Sequence, residues 1–291
     1  MSMTKVCLDV GGTEIKGAVV FSGELLTEIS HFPARSGEEK DVLLEHFEEV
    51  IRTLASKAGQ TLDGLSLAFP GPFDYENGIC LMRGLDKYDA WYNVNLREEL
   101  FRRLADLLPD AQSIRFINDA AAFALGEIHF GHAKGSERSM AVCIGTGCGS
   151  AFGLKNELAP EGTPGVPPQG YIYPFPLLEG CIDDYISKRG VMRLTKEWFG
   201  KAMEGAELAA LVSSGDTRAA ACFAEFGERL CDALEPFLYH YRPDCLCMGG
   251  QITRSFSMFG GSLQDLCTQL GVRLFVTADT SKRAIQGLYA L

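Results

Sequence analysis

None of the ten cysteines in these 291 residues forms a C-x-x-C pair. Cys245 and Cys247 stand one residue apart on a strand-like run, which points both thiols to one face, and no second ligand cluster accompanies them. That spacing argues against a structural zinc site. Cys7, Cys143, Cys245 and Cys247 lie in apolar runs, where a thiol acts as a small buried hydrophobe, and unpaired thiols suit the reducing cytoplasm. The first residues do not read as a secretion signal, because Asp9 interrupts the short apolar stretch after Lys5. No apolar run approaches the roughly 20 residues needed to cross a bilayer. Basic residues are also in short supply: Lys+Arg 27 against Asp+Glu 38 gives a net charge of −11. That balance argues against nucleic-acid wrapping or an anionic membrane surface, while leaving room for a local phosphate site made of backbone amides. H-E-x-x-H and G-x-S-x-G are absent, so metalloprotease and serine-hydrolase chemistry have no support.

What is present is ordinary globular material, 46% hydrophobic and 22% charged, enough for one large core or two lobes of about 100–200 residues. Val6–Val10 and Gly17–Phe21 read as strands around a glycine turn, followed by a strand in the Thr27–Phe32 region. Within Lys40–Ala58, Val42, Leu43, Phe47, Val50, Ile51 and Leu54 recur at helical spacing. Leu65–Phe69 and Ser113–Ile117 are further strands, and Leu96–Leu108 and Ala120–Phe130 are helices. Ser139–Ile144 and Ser150–Leu154 then repeat the opening pattern of strand, small-residue turn and strand. After a proline-broken stretch at Glu161–Pro176 come a helical module from Cys181, a long helix at Ala219–Tyr241 and a strand at Asp244–Met248. A strand at Val272–Thr277 and a helix at Ser281–Leu291 close the chain. The repeated turn predicts two related α/β lobes, residues 1–120 and 121–291, with the terminal helix packing back on the first.

The turns carry the chemistry. In Asp9-Val10-Gly11-Gly12-Thr13, bare glycine backbone lets successive N–H groups surround an anion. Thr13 adds a hydroxyl and Lys16 a positive charge, while Asp9 is placed to orient Mg²⁺ directly or through water. Gly145-Thr146-Gly147-Cys148-Gly149 repeats the small-residue solution without the P-loop pattern G-x-x-x-x-G-K-[ST]. Two plain β-hairpins would explain the same residues; a phosphate ligand explains why both recur after buried strands. Asn118-Asp119 ends a strand, where a carboxylate can take the proton of an attacking hydroxyl. The pair also has the form of an N-cap for the helix that follows. Gly249-Gly250 is either a strand-end turn or an opening for a nucleotide.

Taken together, DVGGTEIKGAVV (9–20), LAFPGPFD (67–74), NDAAAFALGE (118–127), GTGCGSAFGLKNEL (145–158), CLCMGGQI (245–252) and SKRAIQGLYAL (281–291) resemble the ROK sugar-kinase family. The match spans almost the whole chain. It implies an α/β, two-lobed actin-like/ribonuclease-H-like ATPase fold closing around a sugar and MgATP. By that resemblance Asp119 is the base and Asn118 a sugar contact. Asp9, Gly11, Gly12 and Thr13 form the first phosphate region, Gly145, Thr146 and Gly147 the second, and Gly249 and Gly250 the nucleotide side. A homodimer is implied as well.

The chain departs from the family pattern in two places. In place of E-x-G-H and C-x-C-G-x-x-G-C-x-E stands GTPGVPPQGYIYPFPLLEGCIDDYIS (162–187), so no family-type zinc is expected. Asp183 takes the place of the sugar-contacting glutamate, and Gln169 lies near that of the E-x-G-H acid. The Pro-Asn sugar contact is missing from residues 80–96, where Arg83, Lys87 and Asn93 either reshape the pocket or serve as surface and turn residues. The expectation is a cytoplasmic, Mg²⁺-dependent kinase acting on the 6-hydroxyl of glucose or a related hexose. N-acetylmannosamine and N-acetylglucosamine are alternative acceptors, and a non-catalytic sugar-binding regulator is the reading from another class. The family's repressors carry an N-terminal DNA-binding domain, for which the early position of Asp9 leaves no room, so no nucleic-acid partner is expected.

Overall fold

The computed structural model describes residues 3–59 and 61–291. These divide into two compact units, residues 1–130 with 281–291, and residues 131–280. Where the sequence pattern put the division near 120, the structure keeps the whole helix that ends at Phe130 with the first unit.

The first unit is built on a six-stranded sheet. Strands β1 (Thr4–Val10) and β2 (Glu14–Phe21) form an antiparallel hairpin, extended by β3 (Glu24–Leu25) and β4 (Ser30–Pro33), both on β2. Helix α1 (Lys40–Ala55) crosses to β5 (Gly64–Ala68), which lies parallel to β1. A small ribbon of β6 (Phe73–Asp74) and β7 (Ile79–Cys80) and helix α2 (Leu96–Leu104) lead to β8 (Ile114–Ile117), parallel to β5. Val6, Cys7 and Leu8 have no exposed surface, as expected of a central strand covered on both faces. The buried stripe of α1 is Leu43, Leu44, Phe47, Val50, Ile51 and Leu54; Val42, assigned to that stripe from spacing, faces water. Helix α2 stops at Leu104 rather than Leu108, because Leu107 and Leu108 fold into turns on the Leu104 carbonyl ahead of Pro109.

Helix α3 (Asp119–Phe130) is apolar on nearly every side and is almost wholly buried. The C-terminal helix (Thr280–Tyr289) crosses it at small residues. A Cβ on Gly126 would lie 1.9 Å from the Arg283 carbonyl oxygen, and one on Gly287 would lie 1.9 Å from that of Ala122. Only glycine permits that approach. Arg283 also pairs with Glu127 at 3.3 Å, placing a compensating charge beside a buried carboxylate.

The second unit repeats the plan. Strands β9 (Arg138–Ile144) and β10 (Cys148–Leu154) form a hairpin, and β11 (Glu157–Leu158) extends it. The minor pair β12 (Pro176–Leu177) and β13 (Gly180–Cys181) follows. Next come helices α4 (Ile182–Tyr185), α5 (Lys188–Phe199), α6 (Gly205–Ser213) and α7 (Thr217–Tyr241). Strand β14 (Cys245–Gly249) lies parallel to β9, and helices α8 (Phe256–Phe259) and α9 (Gly261–Leu270) lead to β15 (Arg273–Val276), parallel to β14. The two sheets therefore share one order, a hairpin followed on one side by two parallel strands: β3-β2-β1-β5-β8 and β11-β10-β9-β14-β15. This is the duplicated α/β plan of the actin-like ATPase fold. The helical module expected from Cys181 is present: Cys181 ends β13 and caps α4, and α5 and α6 continue it, whereas helix α9 went unanticipated. Cys245 and Cys247 do share a face, their sulfurs 3.5 Å apart.

Candidate active site

Parallel strands deliver their C-terminal ends to one edge of a sheet, so the first unit gathers its polar residues there. Asp9 lies opposite Lys16 on β2 and Ala68 on β5, and Ala68 in turn pairs with Ile117, the residue before Asn118. The Gly11 N–H closes the β1–β2 turn on the Glu14 carbonyl at 2.9 Å. Three neighbours fix the rest of the turn. The Tyr88 hydroxyl donates to the Gly11 carbonyl (2.8 Å), Ser36 Oγ donates to that of Gly12 (2.6 Å), and Ala34 N–H donates to that of Thr13 (2.9 Å). With the carbonyls spoken for, Gly12 and Thr13 remain exposed. Lys16 donates to Ser281 Oγ at 2.8 Å, which tethers its ammonium within the same unit.

Asp119 is the first residue of α3. Its Oδ1 and that of Asn118 both accept from the Ala120 N–H at 2.9 Å. Capping does not use up the carboxylate, because the bond to Ala120 engages only one oxygen of Asp119. Its side chain reaches solvent, yet the protein packed around it disfavours charge and raises its pKa. The Ala120 N–H and the Lys87 ammonium oppose that shift. Asp9, half-buried, is pushed up to about 6, first by burial and then by the negative charge of Asp119, with Lys16 pulling the other way. A carboxylate that burial and a like charge keep from ionising freely is a fitting ligand for a divalent cation, whose charge relieves both penalties.

In the second unit the β9–β10 turn is closed by the Gly145 N–H on the Gly147 carbonyl (2.9 Å). The first N–H of α5, from Lys188, donates to the Gly145 carbonyl at 2.8 Å. A Cβ on Gly145 would meet nothing within 4 Å, so this backbone faces open space, and Thr146 beside it is exposed. Gly250, with φ +101°, is held over the end of β9, where a Cβ would come within 2.3 Å of the Ile144 carbonyl oxygen. Its N–H donates to Thr280 Oγ1 at 2.9 Å. Gly249 pairs with Cys143 across the sheet, so the two glycine segments of this unit are neighbours.

Asp183 is committed to that turn: Oδ1 accepts the Cys148 N–H at 2.7 Å and Oδ2 accepts from Arg189. Its oxygen also lies 2.8 Å from where a Gly147 Cβ would be, which accounts for the glycine there. Gln169 is exposed on a 3₁₀ turn with left-handed backbone, φ 55°. Beneath it Ser150 Oγ bridges the Gly170 carbonyl and the Ile172 N–H. Among the described residues no group of three or more His, Cys, Asp and Glu is arranged to hold a metal ion. Sequence reasoning missed Ser36, Tyr88, Arg189 and Thr280, all of which support turns from distant segments. Only Tyr88, in the aromatic run that includes Trp91, gave any signal, and that signal points to the core.

The sequence model of the ROK family matches residues 5–284. A glucokinase of Thermotoga maritima is 26% identical, the match covering 89% of this chain and 85% of that protein. An N-acetyl-D-glucosamine kinase of Aliivibrio fischeri is likewise 26% identical, over 84% and 83%. The crystal structure of a ROK hexokinase from Thermus thermophilus superposes with a TM-score of 0.80 at 21% identity, covering 98% of this chain and 96% of that one.

Proposed function

The chain belongs to the ROK family, and from that premise we propose that it is an ATP-dependent kinase transferring a phosphoryl group to a hydroxyl of a hexose or amino-hexose. The observation that carries this reading is Asp119 at the head of α3, with one oxygen fixed on Ala120 and the carboxylate raised towards the range useful for proton transfer. Beside it lie a turn whose carbonyls are all occupied and whose glycine backbone is exposed. Such a turn offers N–H groups and no competing acceptor, which suits an anion.

The residues divide the work. Asn118 and Asp119 orient the acceptor hydroxyl, and Asp119 takes its proton as the oxygen bonds to phosphorus. The backbone of Gly11, Gly12 and Thr13 in one unit and of Gly145, Thr146 and Gly147 in the other binds phosphoryl oxygens, with Lys16 adding charge. Gly249 and Gly250 leave space for the nucleotide. Asp9 would hold Mg²⁺ directly or through water; bound MgATP supplies the transferable phosphoryl group and neutralises its charge. Gln169 and Asp183 belong to the sugar side, Asp183 acting also through its hold on the second turn.

The acceptor position we favour is the 6-hydroxyl of glucose or a related hexose, and the relatives that are N-acetylglucosamine kinases make an acetamido sugar the principal competitor. We place the reaction in the cytoplasm, in keeping with ten free cysteines and with no described helix long and apolar enough to cross a membrane. We expect a homodimer, as the family resemblance implies. The test is a panel of hexoses and acetamido-hexoses with MgATP, reading product mass and phosphorylated position. Sugar binding without turnover for every member would replace the kinase with a regulatory sugar-binding protein.

A further inference from the structure

Lys87 sits on a tightly held loop. Its two neighbours, Asp86 and Tyr88, both have φ 55°, a left-handed backbone that non-glycine residues seldom adopt. The Asp89 carboxylate clamps the approach by accepting the N–H groups of Leu85 and Asp86, each at 3.2 Å. On the other side Tyr88 is anchored three ways. Its N–H donates to the Ser36 carbonyl at 2.7 Å, its hydroxyl donates to Gly11, and its buried ring stacks on Trp91 with centroids 5.4 Å apart. Between these fixed points Lys87 is half-buried, with its aliphatic stem over the exposed face of Gly12; a Cβ there would lie 3.5 Å from Lys87 Cδ.

Its ammonium is nonetheless unspent. Lys87 lines a depression of about 370 Å³ together with Glu38, Glu39, Asp86 and Asp89. None of these carboxylates pairs with it, and among the described residues no group accepts a hydrogen bond from it. A lysine amid four acids that pairs with none of them, on a strained and clamped loop, is held for something else. The charged group that feels it is Asp119 on α3, which in turn acts on Asp9 on β1, where Lys16 and Glu14 on β2 also bear. Lys16 is already engaged by Ser281, whereas the Lys87 ammonium makes no hydrogen bond among the described residues and acts on Asp119 through its charge alone.

We propose that Lys87 is a catalytic residue whose ammonium contacts a phosphoryl oxygen at the Gly11–Gly12 turn, the clamped Asp86–Tyr88 loop serving to hold it there. This rests on the kinase reading above and adds a group that the resemblance did not supply. In the step, the acceptor oxygen bonds to the terminal phosphorus as the bond from that phosphorus to its bridging oxygen breaks. The bond's electron pair leaves with the diphosphate and the hydroxyl proton goes to Asp119. Lys87 keeps its protons and donates hydrogen bonds to a non-bridging oxygen, where charge accumulates. Two sources of such an oxygen exist, the terminal phosphoryl of a nucleoside triphosphate and an anionic group on the sugar, and we assign the first.

The experiment compares wild type, Lys87→Gln and Lys87→Arg as full chains, after melting curves establish that all three fold. Calorimetry measures binding of Mg·ADP, of Mg·AMPPNP as a non-transferring triphosphate, and of glucose 6-phosphate; kinetics are read with the best sugar of the panel. Lys87→Gln is expected to weaken Mg·AMPPNP about tenfold and Mg·ADP less than twofold, and to lower kcat about a hundredfold with sugar KM within threefold. Lys87→Arg should recover most of the triphosphate affinity. Equal Mg·AMPPNP affinity in wild type and Lys87→Gln overturns the proposal, as does a loss confined to glucose 6-phosphate. If wild type phosphorylates no sugar while the triphosphate contrast persists, the kinase reading falls and the phosphoryl contact stands.

Discussion

Replacing Asp9 by Asn should make the ligand-free protein more stable while disabling it. The ionised Asp9 carboxylate is disfavoured in the fold, first by burial and then by Asp119 and Glu14, only partly offset by Lys16, so its pKa stands at about 6 instead of 3.8. A difference of that size corresponds to about 3 kcal/mol for a fully desolvated group. Asp9 is only half-buried, and screening by water reduces this to about 1–2 kcal/mol. The sign follows from linkage. Below about pH 4 both folded and unfolded chains carry the protonated acid, and the group costs nothing. As pH rises from there through 6 the unfolded chain ionises first, and the fold loses stability until both states are charged. Asp9→Asn has no such penalty, so its advantage should be small at pH 4, grow through pH 6 and level off by pH 8. Denaturant melts in EDTA at those three values measure it. MgATP should then stabilise wild type well above the variant, with phosphotransfer reduced at least about a hundredfold in Asp9→Asn. A variant less stable than wild type at pH 8, or an advantage as large at pH 4 as at pH 8, would refute the assignment of Asp9 as a strained metal-facing carboxylate.

Asp119→Asn retains an oxygen for the Ala120 N–H and removes a carboxylate that burial disfavours, so its melting temperature should equal or exceed that of wild type with nucleotide affinity kept, while kcat falls about 10²–10⁴-fold; near-normal turnover would reject it as the base. Gly250→Ala forces a Cβ to within 2.3 Å of the Ile144 carbonyl at φ +101°, and should cost about 3 kcal/mol or more in denaturant melts, with nucleotide affinity lost in parallel. Asp183→Asn keeps an acceptor for the Cys148 N–H but releases Arg189. If bracing the second turn is its main work, the KM for ATP should rise about fivefold and that for sugar less than twofold, and the opposite split would make it chiefly a sugar contact.

The hairpin turns and parallel strands were legible because short-range signals fix them: a buried strand, glycine, then a second strand, twice over. From that repetition alone two related α/β lobes could be expected, and the matching sheet orders show the relation in full. Asn118-Asp119 was legible for the same reason, since a strand end followed by alanines places both residues at a helix start. Less of the second unit could be read. Helices α5 and α6 follow a proline-interrupted stretch whose local preferences give no period, and they pack against α7 and against each other. Contacts between distant segments leave no local trace at all. Nothing near Ser36 announces that its hydroxyl fixes the Gly12 carbonyl, and nothing near Asp183 announces that it holds a strand more than thirty residues earlier. Such supports are set by topology, which a periodicity argument cannot see.

Comparison of the two turns shows what the duplication preserved and what it released. Both follow the first strand of a hairpin, and both close on themselves with a single N–H to carbonyl bond, Gly11 to Glu14 and Gly145 to Gly147. Their side chains have diverged. The first turn is surrounded by Asp9, Lys16, Lys87 and Asp119, groups that change or answer charge. The second exposes the uncharged Thr146, and the carboxylate that holds it, Asp183, is paired with Arg189. A phosphoryl group in flight needs a base, a cation and a metal ligand at one end, whereas the rest of a polyphosphate needs only amide hydrogens. Each turn offers backbone amides, although one closes over three residues and the other over two, and the charged set stands about the first. The charged groups of the first turn have no counterpart about the second, which is the difference on which the proposed division of roles rests.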